Sequence, residues 1–207
     1  AYYYFELVKF FGDVPLFTEA RLTAGQAGTL MRTPKDEVYA QIELDLQNAI
    51  ASLPNSQSQV GRVNKYTAYA LLGKVLLYQD KFAEAASALD NVIGVYSLVS
   101  DYGSQFLRFG ENGPESVFEI QYSNQSNWYD WGCAHCSEGN YAIIMNGPRG
   151  WSGPEYAQGW SFNVPTEEFY NSFEEGDSRR DATVLDIEAF AAATGASYTE
   201  GYDHTGY

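Results

Sequence analysis

All four tryptophans of this 207-residue chain fall in one stretch, at Trp128, Trp131, Trp151 and Trp160. The first two sit in the run Asn127-Trp128-Tyr129-Asp130-Trp131, and the third closes the run Asn146-Gly147-Pro148-Arg149-Gly150-Trp151. Flat aromatic faces beside amide, carboxylate and guanidinium groups suit a sugar, whose ring presents C–H groups on one face and hydroxyls at its edge. Stacking between aromatic side chains is worth roughly 0.5–1.5 kcal/mol beyond burial, and several such platforms together give weak but avid capture. Asn127, Trp128, Tyr129, Asp130, Trp131, Arg149 and Trp151 are therefore the candidate ligand-binding residues. Trp151 leads them, since Gly150 and Ser152 flank it and few sequence neighbours could bury it. Trp160 is the tryptophan expected in a core. The competing role for all four is to pin a long loop to its scaffold.

Other groups offer less chemistry. Cys133-Ala134-His135-Cys136 reads as a metal half-site, a redox pair or a disulfide. Zinc needs four ligands and only His204, far along the chain, could add a soft donor, so no metal is expected. A redox motif wants a βαβ setting that the surroundings lack. Glu167, Glu168, Glu174, Glu175 and Asp177 raise the possibility of a glycosidase, which needs two carboxyls roughly 5–9.5 Å apart across a scissile bond. Neighbours on one short helix rarely converge so, and acids at its start satisfy the helix dipole. Arg179 and Arg180 are expected to pair with nearby acids. No phosphate loop, calcium loop or Ser-His-Asp arrangement is present, and neither catalysis nor a cofactor is expected.

Charge narrows the partners. The formal net charge is −15, and every lysine lies at or before Lys81, leaving four arginines against nineteen acids in residues 82–207. Such a surface repels nucleic acid and anionic lipid. No apolar run approaches the roughly 18–20 residues of a membrane span.

The elements that would hold these groups are mainly helical. Residues 1–11 are apolar nearly all round and read as a helix buried on most faces, ended by Gly12-Asp13-Val14-Pro15. Thr33-Pro34 offers an N-cap followed by proline at the first helical position. Val38, Ile42, Leu46, Ala49, Ile50 and Leu53 then form one stripe up to Pro54. Residues 67–79 and 82–94 form a helical hairpin whose Leu72, Gly73 and Ala85 match a tetratricopeptide unit, with Tyr69 in the large-aromatic slot. Ser116 to Tyr122 alternates like a half-buried strand. Residues 123–163 read as loop, and Thr166 caps a short helix carrying Phe169, Tyr170 and Phe173 that closes at Gly176. Beyond Arg180 the pattern fades.

Four stretches, taken in order, resemble the SusD/RagB group of outer-membrane nutrient-binding lipoproteins. They are Ala1-Tyr-Tyr-Tyr-Phe-Glu-Leu-Val-Lys-Phe-Phe-Gly-Asp-Val-Pro15, Arg32-Thr-Pro-Lys-Asp-Glu-Val-Tyr39, Gly61-Arg-Val-Asn-Lys-Tyr-Thr-Ala-Tyr-Ala-Leu-Leu-Gly-Lys74 and Glu174-Glu-Gly-Asp-Ser-Arg-Arg-Asp181, with Glu115-Ser-Val-Phe-Glu-Ile-Gln-Tyr122 between the last two. The resemblance implies one SusD-like domain over 1–207, with a tetratricopeptide-like scaffold over 1–110 and a loop-rich, partly β aromatic insertion with a short helix over 111–207. It implies non-catalytic capture of glycans at the bacterial surface for a SusC-like TonB-dependent transporter. Membrane contact would come only through a lipid anchor on a cysteine upstream of Ala1, absent from this chain, and the chain reads as a fragment lacking the family's usual ends. For an exported protein, a disulfide between Cys133 and Cys136 becomes the favoured pairing. The alternative reading is a helical-repeat adaptor that binds peptide or protein.

Overall fold

The computed structural model describes residues 1–123, 125, 132, 133 and 141–199, and is mainly helical. Helix α1 (Tyr2–Phe11) ends where Gly12 takes φ +65°. Its Phe5 and Val8 are buried, but Tyr3 and Phe10 are 81% and 77% exposed, so α1 buries one face rather than most. Strand β1 (Val14–Pro15) and, beyond the one-turn helix α2 (Ala24–Ala27), strand β2 (Arg32–Thr33) pair antiparallel. The Arg32 guanidinium donates to the carbonyls of Phe11 and Asp13, both at 2.8 Å, and ties this ribbon to the end of α1.

Helix α3 (Lys35–Ser52) starts one residue later than the Thr33-Pro34 signal suggests. Thr33 is committed to the ribbon, and the Lys35 N–H donates instead to Asp13 Oδ1 at 2.9 Å. A cap borrowed from a distant residue leaves no local signature. The expected stripe holds: Val38, Ile42 and Leu46 are buried, while Ala49, Ile50 and Leu53 pack beside them half-buried. Each fully buried aliphatic side chain contributes roughly 1.5–3 kcal/mol.

Helices α4 (Lys65–Leu77) and α5 (Phe82–Leu89) form the expected hairpin, though α5 stops short of Gly94. Asn64 accepts from the Thr67 N–H at 2.9 Å, and Thr67 reaches back to the Asn64 N–H, a reciprocal cap. At the crossing, a Cβ on Gly73 would lie 2.5 Å from Leu89 Cγ, so only hydrogen fits without movement. Glu43 on α3 accepts from Lys81 Nζ at 2.6 Å and Gln79 Nε2 at 2.8 Å, joining the hairpin turn to the neighbouring helix. The core formed this way centres on Phe5, Val38, Ile42 and Val75.

Residues 116–122 are not a strand, which corrects the alternation reading. The Val117 carbonyl accepts from the Thr67 hydroxyl at 3.2 Å, and the Glu119 carboxylate accepts from the Asn112 N–H at 3.0 Å. The chain forms two compact units, Ala1–Val99 with Asn112–Glu119, and Ser100–Glu111 with Ile120–Tyr207. In the second lie α6 (Tyr141–Asn146), a helix where loop was expected, α7 (Glu167–Asn171), α8 (Arg180–Thr183) and α9 (Ile187–Thr194). Helix α7 has the expected Thr166 cap but ends at Ser172, short of Gly176. Helix α9 lies where the sequence pattern fades; Asp186 Oδ1 accepts the Ala189 N–H at 2.9 Å, and Gly195 ends the helix at φ +73°.

Candidate functional site

Two backbone segments of the second unit run against each other so closely that side chains are excluded. The N–H groups of Trp160, Ser161 and Phe162 donate to the carbonyls of Ile144, Gly147 and Met145 at 2.7, 3.0 and 2.8 Å, and Gly159 donates to Pro148 at 2.9 Å. A Cβ on Gly159 would stand 2.5 Å from the Gly147 carbonyl carbon, so glycine is required where the segments cross. Arg149 fastens the same place: its N–H donates to Ser161 Oγ at 2.9 Å and its guanidinium to the Trp160 carbonyl at 2.6 Å. The chain returns at Ser197, which exchanges backbone hydrogen bonds of 2.8 and 2.9 Å with Ser152, while Thr199 donates to the Arg149 carbonyl at 2.9 Å.

This return buries Trp151. Its ring packs on Phe190 of α9 with centroids 5.9 Å apart, and Tyr156 meets Phe190 at 5.3 Å. Trp151 is 6% exposed, which overturns the expectation of a solvent-facing platform. Phe190, which covers it, comes from far along the chain, so flanking glycine and serine said nothing of its burial. Its indole N–H is buried without a hydrogen-bond partner among the described residues. Trp160, expected in a core, is half-buried and packs tilted against Phe162 at 5.4 Å.

Beside the crossing opens a cavity of about 560 Å3, within the roughly 300–1,000 Å3 span of ligand clefts. Tyr156 and Phe169 both line it and stay 44% and 46% exposed. Val184 and Ile187, both buried, line it as well. Asn163 and Asn146 also face it, joined by an Asn163 Nδ2 to Asn146 Oδ1 hydrogen bond of 3.0 Å. Among the described residues, none that lines it carries a charge.

The nearby arginines are engaged, as expected. Arg179 forms a two-pronged pair with Asp177, and Arg180 Nε donates to Asp181 at 2.9 Å while its guanidinium lies 4.8 Å from the Tyr170 ring centre. The Arg179 side chain and N–H together hold the Asp177 carboxyl down at about 2.

Of the predicted site residues, the structure brings Arg149 and Trp151 to the cavity's supporting wall rather than its lining. Asn127, Trp128, Tyr129, Asp130 and Trp131 lie outside the described residues, as does Cys136. Cys133 is disulfide-bonded. Sequence reasoning missed Tyr156, Asn163 and Phe169 as a group. Only Asn146, inside the second aromatic-amide run, carried a signal pointing here.

Residues 1–77 match the family model SusD-like_3, described as "Starch-binding associating with outer membrane". SusD-like protein P2 of Formosa agariphila is 33% identical over 195 residues, which is 91% of this chain and 37% of that protein. Among solved structures, a laminarin binding SusD-like protein matches with a TM-score of 0.88 and 39% identity, over 100% of this chain and 48% of that one. Surface glycan-binding protein A from Bacteroides thetaiotaomicron, in complex with laminarihexaose, matches with a TM-score of 0.83 and 27% identity, over 99% of this chain and 45% of that one. The chain thus spans a little over a third of the curated relative and just under half of these solved proteins. With the helical hairpin, the aromatic unit and these likenesses together, the chain is similar to SusD-like proteins over nearly all its length.

Proposed function

We propose that this chain belongs to a surface protein of the outer membrane that captures glycans without cleaving them and passes them to a TonB-dependent transporter. The observation that carries the reading is its likeness, over nearly all its length, to a laminarin binding protein and to a glycan-binding protein solved with laminarihexaose. The geometry supports capture rather than hydrolysis: among the described residues the cavity lining offers rings and amides but no carboxylate, and a glycosidase needs two. Anchoring by a lipid on the cell surface and the transporter partner belong to the same proposal, supported by the likeness to SusD-like proteins. Asn127, Trp128, Tyr129, Asp130, Trp131 and Arg149 belong to this proposal on residue type, as stacking and edge-bonding groups.

Calorimetric titration of the chain against a panel of oligosaccharides, beside a panel of peptides, tests it. Micromolar to millimolar binding of one or more glycans, with no reducing sugar released, is the expected result. Binding confined to peptides would favour the adaptor reading, and sugar release would revive a glycosidase.

A further inference from the structure

We propose that the cavity beside the Gly147–Gly159 crossing is a subsite for an uncharged sugar unit and discriminates against acidic glycans. The assignment rests on the glycan-capture reading and adds to it a place and a ligand class. Tyr156 and Phe169 supply half-exposed ring faces for the C–H side of a pyranose. The Asn146–Asn163 amide pair supplies the polar edge. Their mutual bond uses one N–H and one oxygen lone pair, and each amide carries two donors and two acceptor positions, so the pair retains groups of both kinds for hydroxyls. A neutral hydroxyl needs both kinds; a carboxylate or sulfate ester needs donors and a positive charge.

Positive charge is what this part of the molecule withholds. Among the described residues the cavity lining is uncharged, and no lysine follows Lys81. Arg149 is spent on the Trp160 carbonyl and Arg179 and Arg180 on Asp177 and Asp181, while Arg108, the remaining arginine after Lys81, is not among the residues lining the cavity. Glu167 and Glu168 stand on α7 immediately before Phe169. An anionic sugar would therefore give up its hydration next to acids, with no cation to replace the water.

The test is calorimetric titration of the full chain with neutral gluco-hexasaccharides, laminarihexaose among them, and with an oligouronate of equal length, at low and at physiological salt. The expected result is that a neutral hexasaccharide binds at least about tenfold more tightly than the oligouronate, with the gap widest at low salt. Asn163→Ala and Phe169→Ala should each weaken the neutral ligand by about tenfold, and Ala157→Trp, which fills the cavity from its lining, should abolish binding. Melting temperature is followed for each variant. If Phe169→Ala unfolds the unit, Asn163→Ala decides alone, because its exposed amide buries nothing. Neutral binding that survives Asn163→Ala and Ala157→Trp unchanged overturns the subsite while leaving glycan capture standing. Equal affinity for the oligouronate overturns the ligand class. A chain that binds no glycan defeats both.

Discussion

Tyr156 meets Trp151 edge to face, with ring centroids 6.2 Å apart and planes at 72°, so that one ring borders the cavity while the other lies buried behind it. The exposed aromatic is thus held by the hidden one, and the two respond differently to mutation. Trp151→Ala should lower the unfolding free energy by about 3–5 kcal/mol, the usual cost of deleting a large buried aromatic. Trp151→Phe should cost less than half of that, since the indole N–H it removes has no hydrogen-bond partner among the described residues. Urea unfolding followed by circular dichroism separates the two; equal losses would mean that the indole N–H has a partner after all.

The first unit depends on a core that the sequence displays openly. Ile42 is fully buried between α1, α3 and α4, and Ile42→Ala should cost about 2–5 kcal/mol. A thermal melt unchanged within a degree would contradict the packing described.

Gly159 carries a different kind of constraint. An added methyl meets main chain, which cannot rotate out of the way, so Gly159→Ala should destabilise the second unit by about 1–3 kcal/mol and weaken glycan binding with it. Gly12→Ala makes a useful contrast: nothing lies near its Cβ position, so any cost there comes from its positive φ alone. Parallel melts and titrations of the two variants check the distinction.

Acid should act late on the Asp177 clamp. Its carboxyl is lowered from 3.8 to about 2, first by the side-chain hydrogen bonds from Arg179 and then by the Arg179 N–H. A group lowered in the folded state contributes stability above its ordinary value, and that contribution is lost as pH falls through the folded value. The clamp is therefore complete above about pH 4 and opens near pH 2. A carboxyl titration by NMR should place the midpoint there, and Arg179→Ala should move it upward; a midpoint near 3.8 in the unmutated chain would exclude the pair.

The parts legible in the sequence are those made by contacts close along the chain. The Val38, Ile42, Leu46 stripe, the α4–α5 hairpin with Gly73 at its crossing, and the Thr166 cap each follow from residues a few positions apart. What stayed hidden depends on distant segments. Asp13 caps α3 from across the ribbon, Phe190 covers Trp151 from a helix whose alanine-rich face gives little periodic signal, and the 116–122 alternation does not become a strand. The cavity shows the same limit. Asn146 stood within a conspicuous run, but Asn163, Tyr156 and Phe169 join it only through the backbone crossing at Gly147 and Gly159.

Because that crossing is secured by main-chain amides and by glycine, the frame of the recess is indifferent to the identity of most side chains hung upon it. Descendants of this chain could exchange a tyrosine, a phenylalanine or an amide around the opening and so retune their diet, while the same knot of backbone kept the opening in place.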